Sequence, residues 1–154
     1  MHDIQPSDSS RQVKSGNEQG RVIYTAKVHT EGGREGGKSR SREGSLDVWV
    51  SLPGRPGSGT NPEQLFAAAW STSFESAIWM AARNMRLRLP AKPVIDAEID
   101  LELVDGFYAV SARLNIRLPG LPDDVAQSLI DDTIGLCPYS RMLRGGTAFT
   151  TRLV

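Results

Sequence analysis

Few side chains in this sequence are placed to do chemistry. They are three consecutive hydroxyls, Ser71, Thr72 and Ser73, in TNPEQLFAAAWSTSFES; Arg34 in GGREGG; Glu63 in TNPEQ; and one cysteine, Cys137, in LCPYSR. A thiol reacts as its thiolate, whereas an unassisted hydroxyl is poorly ionised. A guanidinium stabilises an anion beside it. Each residue alone also has a structural explanation. An arginine at a turn is solvated, a glutamate in a first helical turn complements the dipole, and a lone cysteine packs as a small hydrophobe.

Other chemistries fail on residue supply. A zinc site needs three or four ligands, and the soft ligands here are His2, His29 and Cys137, so no metal site is expected. In GRPGSGT, Gly54 and Gly59 bracket four residues as in a phosphate loop, but the lysine that should follow is absent. The run KSRSR, Lys38 to Arg42, lacks interleaved aromatics and is expected to be a solvated basic turn. Eighteen Lys plus Arg balance eighteen Asp plus Glu, so no overall field steers the chain to nucleic acid or anionic lipid. A single cysteine makes no internal disulfide, which points to a reducing compartment, the cytoplasm. No cofactor is implied.

The elements that must position these residues follow from pattern. Residues 1–20 are almost devoid of apolar side chains, lack the hydrophobic segment of a secretory signal and are expected to form a disordered tail. Residues 21–154 are expected to form one domain, and a chain of 154 residues with 39% hydrophobic content supports a real core. RVIYTAKVHT and SLDVWVSL alternate as strands around the glycines of EGGREGGKS. Asn61 and Pro62 suit an N-cap and first helical position, opening a long helix to about Asn84. Its run from Leu65 to Ala82 nears membrane-spanning length, but Glu75 and the hydroxyls favour a buried helix, with no membrane contact. KPVIDAEIDLELV and FYAVSARLNIRL form a hairpin about Asp105-Gly106. A helix from Asp123 and a final strand in TAFTTRLV complete the order β-β-α-β-β-α-β, an α+β fold.

The combination YTAK, GGREGG, GSLDV, GTNPEQLFAAAW, LPGLP and CPYS resembles the organic hydroperoxide resistance proteins of the OsmC/Ohr family, from Tyr24 to Val154. The resemblance implies antiparallel sheets around two long central helices in an intertwined homodimer, with active sites at the subunit interface. It also implies reduction of organic hydroperoxides by a peroxidatic and a resolving cysteine, with an arginine and a glutamate beside the first thiol. The family's arginine falls on Arg34, its glutamate on Glu63 and its resolving cysteine on Cys137. Its peroxidatic cysteine falls on Ser73. Ser71, Thr72 and Glu75 depart from the family's pattern too, which favours divergence of the whole helix wall over an isolated exchange.

Serine cannot become a sulfenic acid, so ordinary peroxidase turnover is not expected. Glu63 and Ser73, ten residues apart, lie about 15 Å apart along one helix, so a pocket holding both needs a second subunit. Phe66, Ala69, Trp70, Ala77 and Met80 share the Ser73 face by spacing. That face is either core packing or the apolar wall of a small-molecule pocket, in which Phe66, Trp70 and Met80 would touch the ligand. Three readings stay open: an Arg34–Glu63 pocket for an apolar ligand with an anionic or peroxide head, a thiol peroxidase using Cys137 alone, and a structural or interaction subunit.

Overall fold

A computed structural model describes residues 20–54, 59–144 and 149–154. The expected tail therefore lies, apart from Gly20, outside the described residues, as does the centre of GRPGSGT. The fold is α+β, in the order β1 (Val28–Glu31), β2 (Lys38–Ser41), β3 (Asp47–Trp49), α1 (Pro62–Asn84), β4 (Val94–Val104), β5 (Phe107–Arg117), α2 (Asp123–Leu136), α3 (Pro138–Leu143) and β6 (Phe149–Leu153).

Two elements exceed the expected order. KSRSR is not a turn: Lys38–Ser41 is strand β2, antiparallel to both β1 and β3, with Ser39 and Ser41 buried and Arg40 exposed. The reversal is completed inside GGREGG. Gly32, Gly33 and Gly36 adopt positive φ, and a Cβ at Gly37 would collide with the backbone of Glu31 and Gly33. Four basic or hydroxyl residues are therefore free to return as a strand. The second addition is α3, which begins where Cys137 ends α2, with Pro138 at the first helical position. The first strand is also shorter than RVIYTAKVHT, since residues 20–27 are exposed and carry no regular structure.

Helix α1 forms as its signals dictate. The Asn61 side chain accepts from the Gln64 N–H at 2.8 Å, and Pro62 and Glu63 occupy the first turn. The β4–β5 hairpin turns at Asp105 and Gly106, whose φ values of 50° and 84° suit the natural twist of a two-residue hairpin. β6 joins the far edge of β5 in parallel, so the second sheet has the order β4-β5-β6.

The core lies between this sheet and the helices. Trp70, Phe74 and Ile78 of α1 meet Leu114 and Ile116 of β5 and Leu129 and Ile130 of α2, all fully buried. Each such side chain contributes about 1.5–3 kcal/mol of burial. The buried stripe of α1 runs through Trp70, Phe74, Ala77, Ile78, Ala81 and Ala82. It is rotated from the face inferred by spacing, because Phe74, Ile78 and Ala81 stand above Trp70 at intervals of four and three. Ser73 falls at its margin, and Met80 is 50% exposed. No helix among the described residues is long and apolar enough to cross a membrane.

Candidate active site

Helix α1 carries one member of each of two side-chain pairs. At its first turn Glu63 takes a two-pronged bond from Arg34, with Nη1 to Oε2 at 3.0 Å and Nη2 to Oε1 at 2.5 Å. The glycine-rich turn between β1 and β2 puts the arginine there, and the helix's positive end favours the carboxylate. Only 13% of the Glu63 side chain remains exposed. The bond from Arg34 holds the Glu63 carboxyl below the usual carboxylate range, against a smaller opposing effect of burial. The same bond raises Arg34.

Beside this pair lies a cleft of about 390 Å³ whose wall includes Pro53, Glu63, Ala67, Ala97, Ile99 and Leu101. Asn61, Gln64 and a second carboxylate, Asp100, complete the lining, with Glu63 engaged by Arg34 and Asp100 by Arg113. The cleft thus sets an apolar side, Ala67, Ala97, Ile99 and Leu101, next to a polar one that includes the ion pair.

The second pair lies about 15 Å further along the helix. Ser73 Oγ is 3.7 Å from Cys137 Sγ. Cys137 is fully buried at the junction of α2 and α3, where its N–H donates to the Thr133 carbonyl at 2.9 Å. The row of hydroxyls divides by direction. Ser71 Oγ donates to the Ala67 carbonyl at 2.7 Å, and Ser76 likewise returns to Thr72 at 3.0 Å, so both satisfy themselves within the helix. Thr72 is exposed. Of the three consecutive hydroxyls, Ser73 is the one that reaches the cysteine.

The residues inferred to line a pocket are dispersed. Trp70 is enclosed in the core, where its indole N–H donates to the buried Ser140 hydroxyl at 3.0 Å. It stacks on half-buried Phe66 with centroids 6.2 Å apart and meets Phe149 edge-on at 5.5 Å. Trp70 therefore stands behind the wall, and Met80 faces outward. Among the described residues no group of three or more His, Cys, Asp or Glu is arranged to hold a metal ion.

Comparison with known proteins places this arrangement. Residues 54–152 match the family described as OsmC-like protein. The organic hydroperoxide resistance protein of Xanthomonas axonopodis pv. citri (strain 306) is 36% identical over 137 residues, covering 86% of this chain and 96% of the relative. OhrA of Bacillus subtilis (strain 168) is 32% identical over 133 residues, covering 83% of this chain and 94% of its own. The crystal structure of OhrB of Bacillus subtilis superposes with a TM-score of 0.81 at 30% identity, covering 86% of this chain and all of that one. The chain belongs to the OsmC/Ohr family.

Proposed function

We propose that this protein binds organic hydroperoxides or related apolar molecules as part of the defence against them, without ordinary peroxidase turnover. The observation that carries the reading is the 3.7 Å approach of the Ser73 hydroxyl to the Cys137 thiol. In this reading the family's peroxidatic and resolving sulfurs correspond to these two positions. In thiol peroxidation a thiolate attacks the O–O bond, releases an alcohol after proton uptake and becomes a sulfenic acid. A second thiol condenses with the sulfenic acid, forming a disulfide and water. An alcohol at Ser73 performs neither step, so the pair makes a close contact without this redox chemistry.

The rest of the apparatus is present. Arg34, fixed by Glu63, offers a cation to an anionic or peroxidic head group, and the neighbouring cleft offers apolar surface to its tail. The distance along α1 supports a homodimer in which a second copy brings its Arg34–Glu63 pair toward Ser73 and Cys137. The complete burial of Cys137 disfavours catalysis by that thiol alone. The solitary cysteine fits a reducing compartment such as the cytoplasm.

The test is hydroperoxide consumption by the purified protein with a dithiol reductant, beside a Ser73→Cys variant. An inert natural protein and a competent variant support the reading. Turnover by the natural protein that disappears in Cys137→Ser overturns it, because the reactive thiol would then be Cys137. A rise in melting temperature with an apolar hydroperoxide, in the absence of turnover, distinguishes a ligand pocket from a purely structural subunit.

A further inference from the structure

Across the paired strands, charged side chains mostly meet opposite charges. Glu98 lies opposite Arg113, which also bonds Asp100; Arg117 bonds Asp96 at 2.8 Å; and Glu31 lies opposite Lys38, whose ammonium bonds Asp47 at 2.8 Å. The outer end of the β1–β2 ladder departs from this pattern. His29 lies opposite Arg40, and the Arg42 N–H bonds the Lys27 carbonyl at 3.0 Å, which sets those two residues side by side. Lys27 and Arg42 are like charges set side by side across the strands, which destabilises the end of the ladder. Arg40 has Asp47 opposite it in the β2–β3 ladder, at 3.7 Å, while among the described residues neither Lys27 nor Arg42 makes an ion pair.

These side chains surround a cleft of about 500 Å³ lined by Lys27, Val28, His29, Arg40, Ser41 and Arg42, with no carboxylate in its wall. Lys27 and Arg42 also border an adjoining cleft of about 370 Å³ that includes Tyr24, Thr25 and Glu43. The Tyr24 residue is 73% exposed. We propose that this cleft binds a phosphate group carried by a small molecule with a flat ring, as in a mononucleotide. Lys27, Arg40 and Arg42 take the phosphate, and Tyr24 stacks on the ring. A dianion removes the repulsion built into the ladder. Glu31, Glu43 and Asp47 flank the cations, so a long polyanion would meet carboxylates on leaving the cleft. That arrangement favours a small ligand over a nucleic-acid strand. The site is independent of the Arg34–Glu63 and Ser73–Cys137 pairs.

Calorimetric titration of the full chain with AMP, adenosine and inorganic phosphate tests the assignment. AMP should bind, phosphate should bind more weakly, and adenosine should give no signal. Combining Arg40→Gln with Arg42→Gln should weaken AMP by about tenfold or more, through loss of charge-assisted bonds. Tyr24→Ala should bring AMP to the level of phosphate and leave phosphate unchanged. Arg117→Gln, at a cation paired elsewhere, should change nothing. Thermal melts check folding of each variant, and Lys27→Gln replaces the arginine pair if that variant unfolds. Absence of AMP binding, or equal weakening by Arg117→Gln, overturns the site. Equal affinity for phosphate and AMP overturns the ring contact.

Discussion

Ser73 and Cys137 face each other across the α1–α2 packing with oxygen and sulfur 3.7 Å apart, an approach made by residues sixty-four positions apart in the chain. A disulfide needs its sulfurs about 2.0 Å apart, with side chains already directed toward each other. The existing contact supplies the direction, and a modest side-chain rotation closes the rest. Ser73→Cys should therefore form a bond with Cys137 under mild oxidation. Mass spectrometry of the unreduced variant should show the loss of two hydrogens and of both free thiols; persistence of the thiols would contradict this geometry.

Cys137 is fully buried, so its thiol should resist modification in the native protein. Labelling with a chromogenic disulfide should proceed only through opening of the structure. It should accelerate by orders of magnitude once denaturant exposes the chain. Labelling of the native protein at the rate of a free thiol would show that solvent reaches Cys137, and would restore the reading in which this thiol acts alone.

The sequence made α1 and the β4–β5 hairpin legible because their signals are local. Asn61-Pro62-Glu63 marks a helix start, and Asp105-Gly106 supplies the positive φ of a tight turn. Strand β2 was hidden because Lys38–Ser41 is short and polar, and only pairing on both sides makes it a strand. The inward face of α1 was misjudged by part of a turn, since spacing from Ser73 fixes a stripe without saying which stripe meets Leu114 and Leu129. The resemblance to a family grouped Arg34 with Glu63 in one pocket, while the two-pronged bond between them had no local signal. Nothing local to GGREGG or TNPEQ says that Arg34 will reach Glu63, because that contact depends on how the β1–β2 turn folds toward the helix.

Protonation of Glu63 should weaken its bond to Arg34. Its folded carboxyl is held below the range it has in an unfolded chain, mainly by Arg34. The associated stability is fully present above the ordinary glutamate value of about 4.3 and is lost as pH falls through the lower folded value. Glu63→Gln should thus melt below the natural protein near neutrality, and the difference should shrink steadily under acid conditions. The effect should be modest because more than a third of the Arg34 side chain is exposed. A melting difference that stays constant from neutral to acid pH would show that the ion pair contributes nothing.

The Trp70–Ser140 bond should set the stability of the core beneath the site. The indole N–H is fully buried and donates to a fully buried hydroxyl, and Ser140 belongs to α3, so this bond adds a polar link to the packing of the central helix on the short one. Trp70→Phe keeps an aromatic ring but leaves the Ser140 hydroxyl without its partner, at a cost of about 1–3 kcal/mol. The smaller ring also leaves a void, which adds a separate penalty. Ser140→Ala separates the two effects. Placed on the Trp70→Phe background it removes the orphaned hydroxyl and should recover part of the loss, whereas in the natural protein it should destabilise by leaving the indole N–H unpaired. Equilibrium denaturation of the four proteins gives the coupling directly. Additive losses would mean that the hydrogen bond contributes no coupling, and that Trp70 stabilises α3 through its bulk alone.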